Sequence, residues 1–265
     1  MVLGPAILFC PGDRPDRFGK AAMAADAVIL DLEDGVAPSD KQAARAAVAA
    51  SDLDPDRTVV RVNAASTEEF ARDLTAVASS GFRTIMLSKA ERVADLEALA
   101  GYSVIPLCET PIGVENAFAL AEQTPVIALM WGAEDLVAAL GGRSSRTLDG
   151  RYRDVARYAR ARVLVAAAAA GKQAYDAVHL DIADLAGLRD EAEDGAASGF
   201  VGTACIHPSQ VETVREAYRS SVEAVAWAER VLAAAAISAG VFAFEGRMVD
   251  EPVLRQARRI LERRG

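Results

Sequence analysis

With 38 acidic against 29 basic side chains, this 265-residue chain carries a formal net charge of −9, which argues against a nucleic-acid surface or an anionic membrane as its main partner. Hydrophobic residues at 52% and charged residues at 25% supply a full core without a compositional sign of disorder, and one α/β barrel of about 250 residues accommodates the length. Cys10, Cys108 and Cys205 form an odd set without CxxC spacing and read as buried thiols, and with no signal-type segment or run of about 18 apolar residues the expected location is cytoplasmic.

Short Val/Ile/Leu-rich runs alternate with longer Ala-rich amphipathic stretches, the rhythm of parallel strands buried on both faces with crossover helices between them. In chain order the strands are expected at Ala6 to Cys10, Ala27 to Glu33, Thr58 to Val62, Thr84 to Lys89, Val104 to Glu109, Val126 to Gly132, Ala174 to Asp181 and Gly199 to His207. Helices are expected at Ser39 to Ala50, Thr67 to Ser80, Ala90 to Leu99, Gly113 to Gln123, Asp154 to Ala170 and Asp184 to Ser198. Eight strands close a barrel, so the predicted fold is a (β/α)8 TIM barrel over residues 1–207, with a doubly wound open sheet as the competing architecture. Residues 208–265 read as an extension of the same domain: helices from Pro208 to Gly240, then Phe242 to Asp250, then a last helix from Pro252 to Arg264. This tail exceeds what a barrel needs and is expected to pack on a neighbouring subunit.

Several predicted strands end in charge: Asp31, Glu33 and Asp34 on the second, Arg61 on the third, Lys89 on the fourth, Glu109 on the fifth, Asp135 after the sixth and His207 on the eighth. In a barrel these ends converge on one mouth, where such enzymes keep their chemistry. Glu109 and Asp135 each read as a helix-start acid, or together as two carboxylates sharing one hard cation, Mg²⁺ or Mn²⁺. Arg61 reads as an ion pair with Asp31 or Glu33, or as a fork gripping a substrate carboxylate or ketone oxygen, with the Gly132 and Ala133 amides as further donors. Asp31, Glu33 and Asp34 divide their duties: one or more, Glu33 and Asp34 first, hold the metal's waters or orient Arg61, and the rest cap the following loop. Lys89 allows a Schiff-base mechanism instead. His179 and His207 lack zinc spacing, and His207-Pro208 reads as a strand-end hydrogen-bonding element. Neither GxGxxG after a strand nor GxxxxGK[ST] is present, so nicotinamide and P-loop enzymes lack their signature. Gly141 to Arg146 is a polar loop, and Arg14 and Arg17 form a basic turn that could receive CoA phosphates.

Leu8 to Pro15, Ile29 to Ala37, Arg61-Val62-Asn63, Glu109 to Gly113, Ile206 to Gln210 and Gly246 to Asp250, in this order and spacing, resemble the HpcH/HpaI aldolase and citrate lyase family. Trp131-Gly132-Ala133-Glu134-Asp135-Leu136 directs the resemblance to its stand-alone actinobacterial citrate lyase beta-subunit-like members. The resemblance implies a (β/α)8 barrel, a homotrimer or trimer-based hexamer, Mg²⁺ on Glu109 and Asp135, and Arg61 on the keto-acid part of the substrate. It further implies Asp250 entering a neighbour's site as general acid or base, although on its own Asp250 reads as a cap for the Pro252 helix. Ser88 and Thr203-Ala204 depart from the pattern of many relatives, which leaves the thioester pocket open. The implied activity is cleavage or formation of a carbon–carbon bond in a small 3-hydroxyacyl-CoA such as citramalyl-CoA, malyl-CoA or 3-hydroxy-3-methylglutaryl-CoA, with acyl-CoA and keto acid as its small-molecule partners. The alternatives are a class II aldolase on a free 2-keto acid and a noncatalytic, partner-dependent subunit.

Overall fold

Eight of the apolar runs form parallel strands in the computed structural model, which describes residues 3–238 and 240–264. Residues 1, 2 and 265 of the predicted spans, and Ala239 within the predicted helical run, lie outside the described residues. The strands are β1 (Ala6–Pro11), β2 (Ala27–Asp31), β3 (Thr58–Val62), β4 (Thr84–Leu87), β5 (Ser103–Cys108), β6 (Ala128–Trp131), β7 (Gln173–Asp176) and β8 (Gly202–Cys205). They form one closed barrel in sequence order. Closure is made by β8 lying parallel to β1, with Ala6 opposite Thr203 and Leu8 opposite Cys205. The open-sheet alternative is thereby excluded.

Side chains alternate along a strand, so one parity of residues fills the barrel. Ile7, Ile29, Val59, Met86, Leu107, Met130, Tyr175 and Ala204 belong to a single buried cluster. The other parity packs against the helix layer: α1 (Pro15–Ala24), α2 (Lys41–Ala49), α3 (Glu68–Ala78), α4 (Pro111–Glu115), α5 (Ala117–Ala121), α6 (Ala133–Ala139), α7 (Asp154–Ala169) and α8 (Leu185–Ser198). All three thiols are buried, and none is in a disulfide.

Four sequence expectations are corrected. The predicted turn carrying Arg14 and Arg17 is the start of α1, which Pro15 opens, as proline suits a first helical position. The Ala90 to Leu99 helix is a 3-10 helix over Val93–Leu99; Asp95 accepts the Glu91 and Arg92 N–H groups and tightens its first turn. The Gly113 to Gln123 helix is divided into α4 and α5 at Asn116, whose side-chain amide donates to the Glu91 carbonyl. Most predicted strands overrun, so that Glu33, Lys89, Glu109, Gly132, Asp181 and His207 lie in loops beyond the ladders.

The chain resolves into two compact units, residues 1–214 and 215–265. The division falls within α9 (Val211–Tyr218). In the second unit, α10 (Val222–Ala236) and α11 (Glu251–Glu262) flank a hairpin of β9 (Phe242–Phe244) and β10 (Arg247–Val249). The hairpin turns on Glu245 and Gly246, both at left-handed φ, 48° and 77°. Ala228, Val231, Val249 and Ala257 form this unit's own core.

Candidate active site at the mouth of the barrel

The interior parity continues past the strand ends, and there it changes from apolar to charged. Two residues beyond interior Ile29, Val59 and Leu107 stand Asp31, Arg61 and Glu109. Beyond Met130, Tyr175 and Ala204 stand Gly132, Ala177 and Ile206. All six line a cavity of about 350 Å³, together with Phe9, Asp34, Ala133 and Asp135 and an apolar wall of Val178 and Leu180. A larger groove of about 670 Å³ opens at the opposite, N-terminal end of the barrel between Tyr102 and Pro125. None of the strand-end carboxylates lines it, so the smaller cavity is the chemical one.

Asp31 organises one side of the mouth. Its carboxylate accepts the Glu33 N–H at 2.8 Å and the Gly35 N–H at 2.9 Å, and it receives Arg61 Nε at 2.7 Å and Nη2 at 2.5 Å. A Cβ at Gly35 would fall 2.2 Å from Asp31 Oδ2, so only glycine permits this turn. Arg61 Nη1 lies 3.1 Å from Glu33 Oε2, and the guanidinium stands 4.9 Å from the centre of the Phe9 ring. Both readings of Arg61 are thus compatible, because Asp31 and Glu33 engage three of its five N–H groups. Lys41, which the sequence reading did not single out, fixes the same turn by donating to the Leu32 and Glu33 carbonyls and to Asn63.

Lys89 closes the other side. It adopts a left-handed φ of 49°, a strained conformation for a residue with a side chain. There its N–H donates to Glu109 Oε1 at 3.0 Å. Its ammonium reaches Glu33, Asp34 at 3.0 Å and Asp135 at 3.4 Å. Burial works against the charge, but the hydrogen bond and charge of Glu33 outweigh it and raise the lysine pKa. A Schiff-base lysine needs the opposite shift. Borohydride reduction in the presence of a 2-keto acid is therefore expected to leave Lys89 unmodified by mass spectrometry; a reduced adduct on Lys89 would establish the covalent route.

Glu109 is 2% exposed. Burial, reinforced by the charge of Asp135, pushes its carboxyl up to about 8. Asp135 sits in the first turn of α6, with its side chain 40% exposed. Around the cavity six carboxylates (Asp31, Glu33, Asp34, Glu109, Glu134, Asp135) meet two cations (Arg61, Lys89). That excess of carboxylates over cations is a donor set suited to a divalent cation. Among the described residues no group of three His, Cys, Asp or Glu side chains is arranged to hold a metal. Two carboxylates suffice for Mg²⁺, which keeps several waters, and so the residues present fit that ion.

The remaining sequence candidates fall elsewhere. His179 is buried with Nδ1 2.9 Å from Glu191, and His207 caps a short 3-10 turn through Ser209. Arg146, from the polar loop, pairs with Glu191 and stacks 4.0 Å from the Tyr152 ring centre, so that end of the loop is anchored. Arg14 pairs with Asp16 at 3.3 Å, and Arg17 is exposed on α1. Asp250, in the second unit, caps α11 through the Val253 N–H at 3.4 Å.

Comparison with known proteins identifies the family. The family model for HpcH/HpaI aldolase/citrate lyase matches residues 6–208. A citrate lyase subunit beta-like protein of Mycobacterium tuberculosis is 58% identical over 99% of this chain and 96% of that protein. Human mitochondrial citramalyl-CoA lyase is 34% identical over 95% of this chain and 83% of its own length. The crystal structure of CitE from M. tuberculosis in complex with magnesium, acetoacetate and coenzyme A superposes with a TM-score of 0.95 at 58% identity, covering 98% of this chain and 97% of that one. The chain belongs to the HpcH/HpaI aldolase/citrate lyase family. It is an enzyme of the carbon–carbon lyase class. No helix among the described residues is long and apolar enough to cross a membrane.

Proposed function

We propose that this chain is a Mg²⁺-dependent lyase that cleaves or forms the carbon–carbon bond of a small 3-hydroxyacyl-CoA, in the class of citramalyl-CoA, malyl-CoA and 3-hydroxy-3-methylglutaryl-CoA. The observation that carries the reading is Glu109, just past β5, and Asp135, in the first turn of α6, on one cavity with Arg61 of β3. The ligands named for the M. tuberculosis structure and the activity named for the human relative support it.

Held by Glu109 and Asp135, Mg²⁺ would polarise the oxygen on the carbon that becomes the ketone. Arg61 offers that oxygen, or the neighbouring carboxylate, its two N–H groups not engaged by Asp31 and Glu33. The Gly132 and Ala133 amides at the start of α6 add donors where charge develops. Glu33 and Asp34 hold Lys89 and Arg61 in place around the substrate. A base takes the hydroxyl proton, the C–O bond becomes C=O, and the C–C electron pair passes to the thioester α-carbon as an enolate, which a proton then quenches. The base we assign is Asp250 of a neighbouring copy, in a trimer or trimer-based hexamer joined through the C-terminal segment. Arg14 and Arg17, near cavity-lining Pro11, receive the CoA phosphates.

The test is turnover by the purified chain alone, given Mg²⁺ and a panel of hydroxyacyl-CoA thioesters and free hydroxy-keto acids, followed by keto-acid release. Thioester cleavage that EDTA abolishes is expected. Activity on free acids only would support the class II aldolase, and inactivity across the panel a partner-dependent subunit. In the active enzyme, replacing Arg14 and Arg17 together with Ala is expected to raise KM for the thioester about tenfold, the loss of roughly 1.4 kcal/mol of binding, with kcat unchanged.

Metal binding should depend on pH with a defined sign. Below about 8 Glu109 holds a proton that the ion must displace. Affinity for Mg²⁺ is expected to rise about tenfold per pH unit up to that point and level off above it, with close to one proton released near neutrality. Calorimetry in buffers of different ionisation enthalpy measures both; a flat profile between pH 6 and 8 would mean that Glu109 holds no proton for the ion to displace.

A further inference from the structure

The carboxylate pair depends on where β6 ends. Cys108 and Trp131 lie opposite each other in the β5–β6 register, so Glu109 and Gly132 are the next residues on each side. They meet with no slack: a Cβ at Gly132 would fall 2.8 Å from Glu109 Oε2 and 2.9 Å from its Cβ. Any displacement of Trp131 therefore carries Gly132, and with it the first turn of α6, relative to Glu109.

Trp131 is fully buried. Ala128 and Met130 fill the barrel interior, so the alternate parity puts the indole on the helix side of β6. There Nε1 donates to Asp176 Oδ1 at 2.7 Å. Asp176 is itself buried and immobilised: it accepts the Ala177 N–H at 3.0 Å, and Arg160 from α7 meets Oδ2 through Nε at 3.0 Å and Nη2 at 2.6 Å. The Tyr152 ring stands edge-on to the indole with centroids 5.2 Å apart. A carboxylate locked by a guanidinium is a rigid, charge-assisted acceptor, stronger than a neutral one. Nothing in the reaction outlined above uses Asp176.

We propose that Asp176 is a positioning residue: through Trp131 it sets how closely the Gly132–Asp135 turn approaches Glu109, and so the divalent-cation affinity of the site. The inference rests on the metal reading given above. Outer partners of metal ligands commonly change affinity by about 10- to 100-fold when removed.

The test is Mg²⁺ titration by calorimetry of the wild-type chain and of Trp131→Phe, Asp176→Asn and Asp176→Ala, with thermal unfolding as the control for folding. Trp131→Phe and Asp176→Ala are expected to weaken Mg²⁺ binding at least about tenfold and lower kcat, with KM for the thioester within about twofold of wild type. Asp176→Asn, which keeps an acceptor for the indole, should recover part of the loss. In a Trp227→Phe background, Trp131 is the remaining tryptophan, and its emission should change as Mg²⁺ binds. Folded Trp131→Phe and Asp176→Ala proteins with wild-type affinity and kcat overturn the inference. Should they fail to fold, Trp131 emission that stays flat while calorimetry records binding overturns it. No binding by the wild-type chain overturns the metal reading and this inference with it, whereas wild-type binding with unaffected variants overturns this inference alone.

Discussion

Replacing Glu109 with Gln should lower Mg²⁺-dependent turnover by about 1000-fold or more, a loss of roughly 4 kcal/mol of transition-state stabilisation, and at the same time make the metal-free protein more stable. The two effects share one cause. Glu109 is buried beside Asp135, and its carboxyl is raised from 4.5 to about 8. In the unfolded chain it ionises above 4.5, while in the folded chain it keeps its proton to about 8. The folded state therefore binds more protons across that window, and stability falls as pH rises through it. Gln has the same shape, still accepts the Lys89 N–H, and carries no charge to bury. Its advantage should be absent at pH 4, grow between pH 4.5 and 8, and reach about 2–5 kcal/mol, taking about 1.4 kcal/mol for each tenfold change in proton affinity. Denaturant unfolding at pH 5 and pH 8.5 without divalent ions measures it. Equal stability of both proteins at pH 8.5 would mean that Glu109 is not a buried charge, and full turnover would mean that it is not a ligand.

Mixing Glu109→Ala subunits with Asp250→Ala subunits should restore turnover that neither has alone. If Asp250 serves the site of a neighbour, random exchange in a trimer gives about one site in four with both residues intact. Each single variant should fall about 100-fold or more in kcat, the usual contribution of a positioned acid or base. Asp250→Asn separates this role from capping. Asparagine caps a helix as well as aspartate does, and the observed cap to Val253 is only a 3.4 Å contact, so Asp250→Asn should unfold with the wild type while remaining inactive. Activity of Asp250→Asn near wild type, or no recovery on mixing after subunit exchange is verified, would confine Asp250 to the cap.

The strands were legible because a parallel barrel buries both faces, which leaves near-continuous apolar runs such as Ala27 to Leu30. Their ends were not. Apolar composition runs on where the ladder stops, and what stops it is local: the Asp31 carboxylate takes the Glu33 and Gly35 N–H groups, and Lys89 turns into a left-handed conformation. The charges at the mouth were visible as residues that end the predicted strands, Asp31, Arg61 and Glu109 among them. Pro15 marks the start of α1, but the preceding Pro-Gly-Asp-Arg reads as a turn and masks it. The Trp131–Asp176–Arg160 contacts could not be read at all. They join residues 45 and 16 positions apart on three elements, and no spacing rule anticipates such a meeting before the sheet has closed.

The union of β8 with β1 has a consequence for biosynthesis. Ala6 and Thr203 meet across about 200 residues of chain, a very non-local contact for a domain of this size. Until the ribosome has released β8, the first strand lacks one of its two neighbours and the ring of strand ends has no fixed circumference. Asp31, Arg61, Glu109 and Asp135 can keep their mutual distances only inside that ring. An unfinished chain thus holds every one of these side chains and still has no working mouth until the last stave is set.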